Sequence, residues 1–232
     1  MTAPAFVQSW TGTGTASPVT ITVAPSAGNT LIVHFIYRPD NVTLTGVTDN
    51  LSDAFTKIYV SSTELAHYGF AAYAISNVPP GVTSVSISFT AGSCNVAAEI
   101  QEWSNLTTIT DGTKFSFSPG ASPQTSGSVT PTAGDSIVLF ALFDMPLQGA
   151  SPAPVYSSGF QNAVLSPNST DLKYAGSASW VVSQASGSYS ATVSWSNGGS
   201  AAISIYALRA SPSTTNYTVE EYGQSITFGR SI

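Results

Sequence analysis

The 232-residue chain has only 8% Asp, Glu, Lys and Arg against 42% hydrophobic and 11% aromatic residues, so it is too apolar to stay disordered and must coat itself mainly with hydroxyls. Its formal charge is -6 and the six basic residues, Arg38, Lys57, Lys114, Lys173, Arg209 and Arg230, stand singly, which excludes a phosphate-neutralising face for nucleic acid. Cys94 is the only cysteine, so an internal disulfide and a cysteine-rich metal site are excluded; no apolar run reaches the roughly 18 residues of a membrane-inserting helix.

Met1 to Thr20 lacks the basic start and apolar core of a signal peptide, so export is expected after removal of a signal or by another route such as lysis. From Val19 onward the chain alternates with period two: Val19, Ile21, Val23, then Val85, Ile87, Phe89, then Tyr189, Ala191, Val193, Trp195, with small residues, many of them Ser or Thr, between them. That spacing predicts half-buried antiparallel strands with a hydroxyl-rich wet face. Leu31 to Tyr37 (LIVHFIY) and Ser136 to Phe143 (SIVLFALF) are continuously apolar, which predicts strands covered on both faces.

These two stretches are copies. Val23 to Asp40 aligns with Val129 to Pro146, placing Gly28 on Gly134 at an offset of 106, the difference 134 − 28. Gly81 to Phe89 aligns with Gly187 to Trp195 at the same offset, and Ala71 to Ser76 aligns with Ser177 to Ser183 with one residue of slippage. The chain therefore reads as a doubling with halves near 17–106 and 125–210. The expected fold is all-β: a single large antiparallel sandwich of jelly-roll type spanning 1–210, with two tandem immunoglobulin-like sandwiches as the alternative. The segment between the halves carries its own alternation at Lys114 to Phe117, unlike a linker, and this favours the fused form.

Residues 211–232 form a C-terminal extension in which Tyr217, Val219, Ile226 and Phe228 recur at strand spacing. Too short to fold alone, it is expected to add a strand to the sandwich or to a neighbouring subunit, and these four residues are the assembly candidates.

The succession GNTLIVHFIY, GVTDNLSDAFTKI, YGFAAYAISNVPPGVTSVSISF, AAEIQEWSNL and SGSYSATVSW leading into AAISIYALRA resembles a β-sandwich module of unknown function found in bacterial extracellular proteins and in phage tail and virion proteins. The likeness covers Phe6 to Ala210. It implies a fold and a surface setting, and carries over no catalytic residue.

Reactive constellations are sparse. Glu99 and Glu102 are the nearest pair of carboxylates, but three residues apart on a strand they face opposite ways and cannot work together on a glycosidic bond. The only histidines are His34 and His67, no GxSxG elbow or HExxH motif occurs, and His34 within its apolar strand reads as a satisfied core histidine. The loop Asp49 to Asp53 offers oxygen ligands of the kind that hold Ca²⁺, with Asp49 and Asp53 as the metal candidates, although an Asx turn has the same composition and is the preferred reading. Trp180 and Trp195 fall at repeat positions held by Tyr73 and Phe89 and are expected in the core; Trp10, Trp103, Tyr68 and Tyr156 are the candidates for a sugar-stacking platform.

The sequence thus points to a non-catalytic structural or decorating protein of a phage virion or similar extracellular assembly, at the virion or cell surface. Other protein subunits are its expected partners, as a homo-oligomer or part of a larger assembly, with neither nucleic acid nor membrane insertion. The alternative is a carbohydrate-binding or adhesion module.

Overall fold

The computed structural model describes residues 2–38, 42–65, 68–90, 93–111, 122–132, 134, 136–145, 154–165, 174–195, 201–212, 214–221 and 224–231. These residues form strands and turns with no helix among them. The first eight strands are β1 (Ala5–Ala16), β2 (Val19–Thr22), β3 (Thr30–Tyr37), β4 (Leu44–Asp49), β5 (Thr56–Leu65), β6 (Tyr68–Ile75), β7 (Ser84–Phe89) and β8 (Ser93–Ser104). The next eight are β9 (Leu106–Thr110), β10 (Gln124–Thr125), β11 (Ile137–Met145), β12 (Val155–Tyr156), β13 (Gln161–Leu165), β14 (Tyr174–Val182), β15 (Thr192–Ser194) and β16 (Ala202–Ala210). A hairpin of β17 (Thr214–Glu221) and β18 (Gln224–Ser231) follows.

Every strand of the first set recurs eight places later. Sheet order β1-β8-β3-β6-β5 returns as β9-β16-β11-β14-β13, and β2-β7-β4 returns as β10-β15-β12; all pairings are antiparallel. Equivalent turns carry corresponding hydrogen bonds. Gly28 and Gly134 have φ of 85° and 95°, in the region open to glycine, and their N–H groups donate to Val78 and Ala185 carbonyls at 2.8 and 3.0 Å. The Ser17 hydroxyl accepts from the Phe89 N–H at 2.9 Å, and Ser122 accepts from Trp195 at 2.8 Å. The repeat includes β1 and β9, so it reaches back beyond the expected starts at 17 and 125.

Each half closes its own two-sheet sandwich. In the first, Leu31, Val33 and Phe35 of β3 meet Val85 and Ile87 of β7 and Ile21 of β2. In the second, Ile137, Leu139 and Ala141 of β11 form one core with Val129, Ala191 and Ile205, while Phe143 packs with Val193 and Trp195. A further core, with Ile32, Ala72 and Trp103 from one half and Val138, Phe140, Tyr206 and Leu208 from the other, joins the two five-stranded sheets face to face. The single sandwich and the tandem alternative therefore each describe part of the molecule: two sandwiches share a buried middle layer. Between β8 and β9 lies one residue, Asn105, at φ 55°, a conformation that asparagine tolerates. The alternation at Lys114 to Phe117 lies outside the described residues.

Edges and centres of the sheets differ. The ladders flanking β3 and β11 run without a register shift, whereas β1, β4, β5, β9 and β13 each carry a shift. The remaining outer strands β2, β10 and β12 span four, two and two residues.

Phe89 and Trp195 occupy equivalent sites, each 6% exposed, against Tyr37 and Phe143 with ring centroids 5.4 and 5.3 Å away. Truncating either to Ala is expected to cost about 3–5 kcal/mol, measured by urea unfolding. Unchanged stability in both variants would contradict this assignment of inward faces.

Candidate functional site

Three places gather the chemistry of the chain: the layer between the five-stranded sheets, the recess beside Trp180, and the C-terminal hairpin. In the middle layer, His34 of β3 stands opposite Glu99 of β8 in the ladder. Its Nδ1 lies 2.7 Å from Glu99 Oε1, and its Nε2 2.5 Å from the Tyr206 hydroxyl of the other half. All three are buried. Burial, with the Glu99 charge beside it, pushes the Tyr206 hydroxyl well above its usual range, so Tyr206 keeps its proton and can donate to His34 Nε2 while Nδ1–H donates to Glu99. Two residues along β8, Gln101 donates to the Ser177 hydroxyl across the same layer at 2.7 Å and accepts from Trp103 Nε1 at 3.0 Å. Phe140 stacks on Tyr206 at 5.1 Å and meets Trp103 edge-on at 5.7 Å.

A histidine between a carboxylate and a phenol has the makings of a proton relay. Here it is packed under two sheets, so its chemical work is to satisfy buried polar groups and tie the halves together. His34 is a core histidine with both ring nitrogens bonded, as its apolar strand implies; His67 lies outside the described residues. Glu102, on the opposite face of β8 from Glu99, receives the Ser26 N–H at 2.8 Å, Asn29 Nδ2 at 2.5 Å and Gln8 Nε2 at 2.6 Å. The two carboxylates thus pin different layers.

Asp49 and Asp53 bound a closed turn. Asp49 Oδ1 accepts from the Leu51 and Asp53 N–H groups at 2.8 and 3.0 Å, and Asp49 N–H donates to the Asp53 carbonyl at 3.2 Å. The loop has the bonding of an Asx turn, with Asp49 directed at its own backbone. Asn50 holds the neighbouring turn, accepting from Thr83 N–H at 2.7 Å and donating to the Gly81 carbonyl at 3.1 Å. Among the described residues no group of three or more His, Cys, Asp or Glu comes together as a metal site.

The four aromatic candidates do not form one platform. Trp103 is a correction: fully buried between the sheets, it has no face open to a ligand. Trp10 is half-buried on β1 against the first core, and Tyr156 is half-buried on β12, 6.5 Å from the Phe160 ring. Tyr68 opens β6 opposite Leu65, and its side chain lies outside the described features. Trp180 departs from the repeat instead. Tyr73 is buried as expected, whereas Trp180 is half-buried and lines a recess of about 200 Å³ with Gly159, Gln161, Asn162, Ser179 and Val181. The indole is fixed from one side by Gly159, where a Cβ would come within 2.8 Å of two ring carbons, and by edge contacts with Phe160 and Tyr189 at 5.7 and 5.6 Å. Every lining residue is uncharged. Sequence periodicity missed this recess because it forms where the Gln161–Val164 register shift opens the edge of β13.

In the C-terminal hairpin the ladder runs from Thr214 opposite Ser231 to Glu221 opposite Gln224. Tyr217 lies opposite Phe228 and Val219 opposite Ile226, so the four assembly candidates are brought together in pairs. The hairpin forms its own two-stranded sheet and joins none of the four sandwich sheets. The segment is expected from its sequence to add a strand to the sandwich or to a neighbouring subunit; within this chain its two strands pair with each other instead of with the sandwich.

No family model, curated protein or solved structure matches the chain.

Asp111, just past β9, is a residue the sequence did not single out. Its carboxylate accepts from the Thr132 N–H at 3.1 Å, the Thr132 hydroxyl at 2.9 Å and Arg209 at 3.2 Å. Burial pushes this carboxyl up, but the Thr132 bonds and the Arg209 charge outweigh it and hold it below the usual aspartate range. A lowered folded-state value contributes stability above the unfolded pKa of about 3.9, and that contribution is lost as pH falls through the folded value. Asp111→Asn is expected to cost about 1–3 kcal/mol at pH 7 and progressively less below about pH 4, read from urea melts at both ends of that range. An equal deficit at pH 7 and pH 2 would refute the role of the charge.

Proposed function

We propose that this chain is a non-catalytic structural or decorating protein of a phage virion or similar extracellular assembly, acting at that surface as a homo-oligomer or as one subunit among others. The observation that carries the reading is the self-paired C-terminal hairpin, a two-stranded unit of a kind that is marginally stable alone in water and gains stability from a third strand or a covered face. The resemblance of residues 6–210 to modules of bacterial extracellular and phage tail proteins supports the setting. So does the internal use of His34, Glu99, Glu102 and Asp111, each bonded within the fold. Deleting residues 211–232 is expected to leave a folded sandwich pair, with unchanged thermal unfolding, that no longer assembles in light scattering and electron microscopy. Unimpaired assembly of the deleted chain would overturn the reading.

The Trp180 recess favours a second reading, a carbohydrate-binding or adhesion module. Uncharged amides beside an aromatic side chain suit a neutral polyhydroxyl ligand. On a glycan array, with and without Ca²⁺, binding that is lost in Trp180→Ala and Asn162→Ala is the expected result of this reading. No binding by the unmodified protein in either condition removes it.

A further inference from the structure

We infer that the C-terminal hairpin joins copies of this chain by edge-to-edge β-pairing with the same hairpin of a second copy. The inference rests on the assembly reading above and specifies its contact.

An incoming strand needs an uninterrupted row of outward N–H and C=O groups. The sandwich sheets withhold one: each outer strand is either interrupted by a register shift, as in β1, β4, β5, β9 and β13, or only two to four residues long. Shifts and short edges are the devices by which sheets refuse foreign strands. The hairpin does the opposite. Its ladder keeps register through eight consecutive pairs, and in a two-stranded sheet both strands are edges. Among the described residues, the element that matches such an edge in length and regularity is the hairpin itself. Its charge permits the pairing: antiparallel contact of β18 with β18 of a second copy, centred on Thr227, sets Arg230 against Gln224, and β17 with β17, centred on Thr218, sets Glu220 against Asn216 and Glu221 against Thr215, so no like charges stand directly opposed.

The ladder also identifies which backbone groups face outward. Glu221 and Gln224 are separated by two residues and flank the connection, the position of a hydrogen-bonded pair in a two-residue hairpin. Alternation then makes Val219–Ile226 and Tyr217–Phe228 hydrogen-bonded pairs and turns the N–H and C=O of Thr218 and Thr227 away from the hairpin. Proline at 218 or 227 removes an outward donor and leaves the internal ladder its bonds.

The test compares full-length Thr218→Pro, Thr227→Pro and the double variant with Thr218→Ala, Thr227→Ala and the 211–232 deletion, using sedimentation velocity over a concentration series. Thermal unfolding checks that the sandwiches are intact. The expected result is a rise of about tenfold or more in the dissociation constant for at least one proline variant, as befits lost ladder bonds, with the alanine controls assembling like the unmodified chain. Normal assembly of the double proline variant, when the deletion abolishes assembly, overturns edge pairing and leaves the assembly reading standing. Weakening by the alanine controls as large as by proline also overturns it, since side chains would then carry the contact. Assembly that survives the deletion sinks both.

Discussion

Strands β3 and β11 have protein on both faces, and this double burial is the constraint to which the rest of the structure answers. Each lies at the centre of a five-stranded sheet, covered on one side by its own three-stranded sheet and on the other by the opposite half. With no solvent face, neither strand can alternate apolar and polar residues, and burying each Val, Leu, Ile or Phe contributes about 1.5–3 kcal/mol. A strand so enclosed has no water for its backbone either, so every N–H and C=O must find a ladder partner. The unbroken register on both sides of β3 and β11 meets that demand. Irregularity is confined to the outer strands, where solvent can satisfy what the ladder drops.

The middle layer is not symmetric, although the fold around it is. His34 and Glu99 face one another in the first half where Phe140 and Tyr206 do so in the second. Unlike residues at like positions are what allow the His34–Tyr206 and Gln101–Ser177 bonds to cross the layer. Two first-half faces brought together would set one buried His–Glu pair against another with no phenol to complete them, and a buried polar group left unpaired costs about 1–3 kcal/mol. The polar groups therefore select which face meets which, a role in specificity more than in net stability.

Much of this was legible in the sequence because it is local or periodic. Continuous apolar runs marked β3 and β11, alternation marked β2, β7 and β15, and the offset of 106 residues matched Gly28 with Gly134 and Phe89 with Trp195. The spacing of Glu99 and Glu102 correctly set them on opposite faces. The bonds of the middle layer were not legible, because His34 and Tyr206 are 172 positions apart and no pattern ties a core histidine to a particular phenol. Trp103 looked unconstrained for the same reason: its cover comes from Phe140 of the other half. Trp180 misled in the opposite direction, since the repeat equates it with Tyr73 while a shift in the adjoining edge strand leaves it half open.

Cys94 sits in the first core at the start of β8, with its sulfur 3.2 Å from the Arg38 carbonyl. Burial pushes its thiol up to about 11, a backbone hydrogen bond with Arg38 offsetting this only in part, so at neutral pH the nucleophilic thiolate is nearly absent. Buried and protonated, such a sulfur is poorly placed to exchange with disulfides or to bridge two molecules. With its one cysteine enclosed in the first core, the chain presents no thiol at its surface through which copies could become covalently joined.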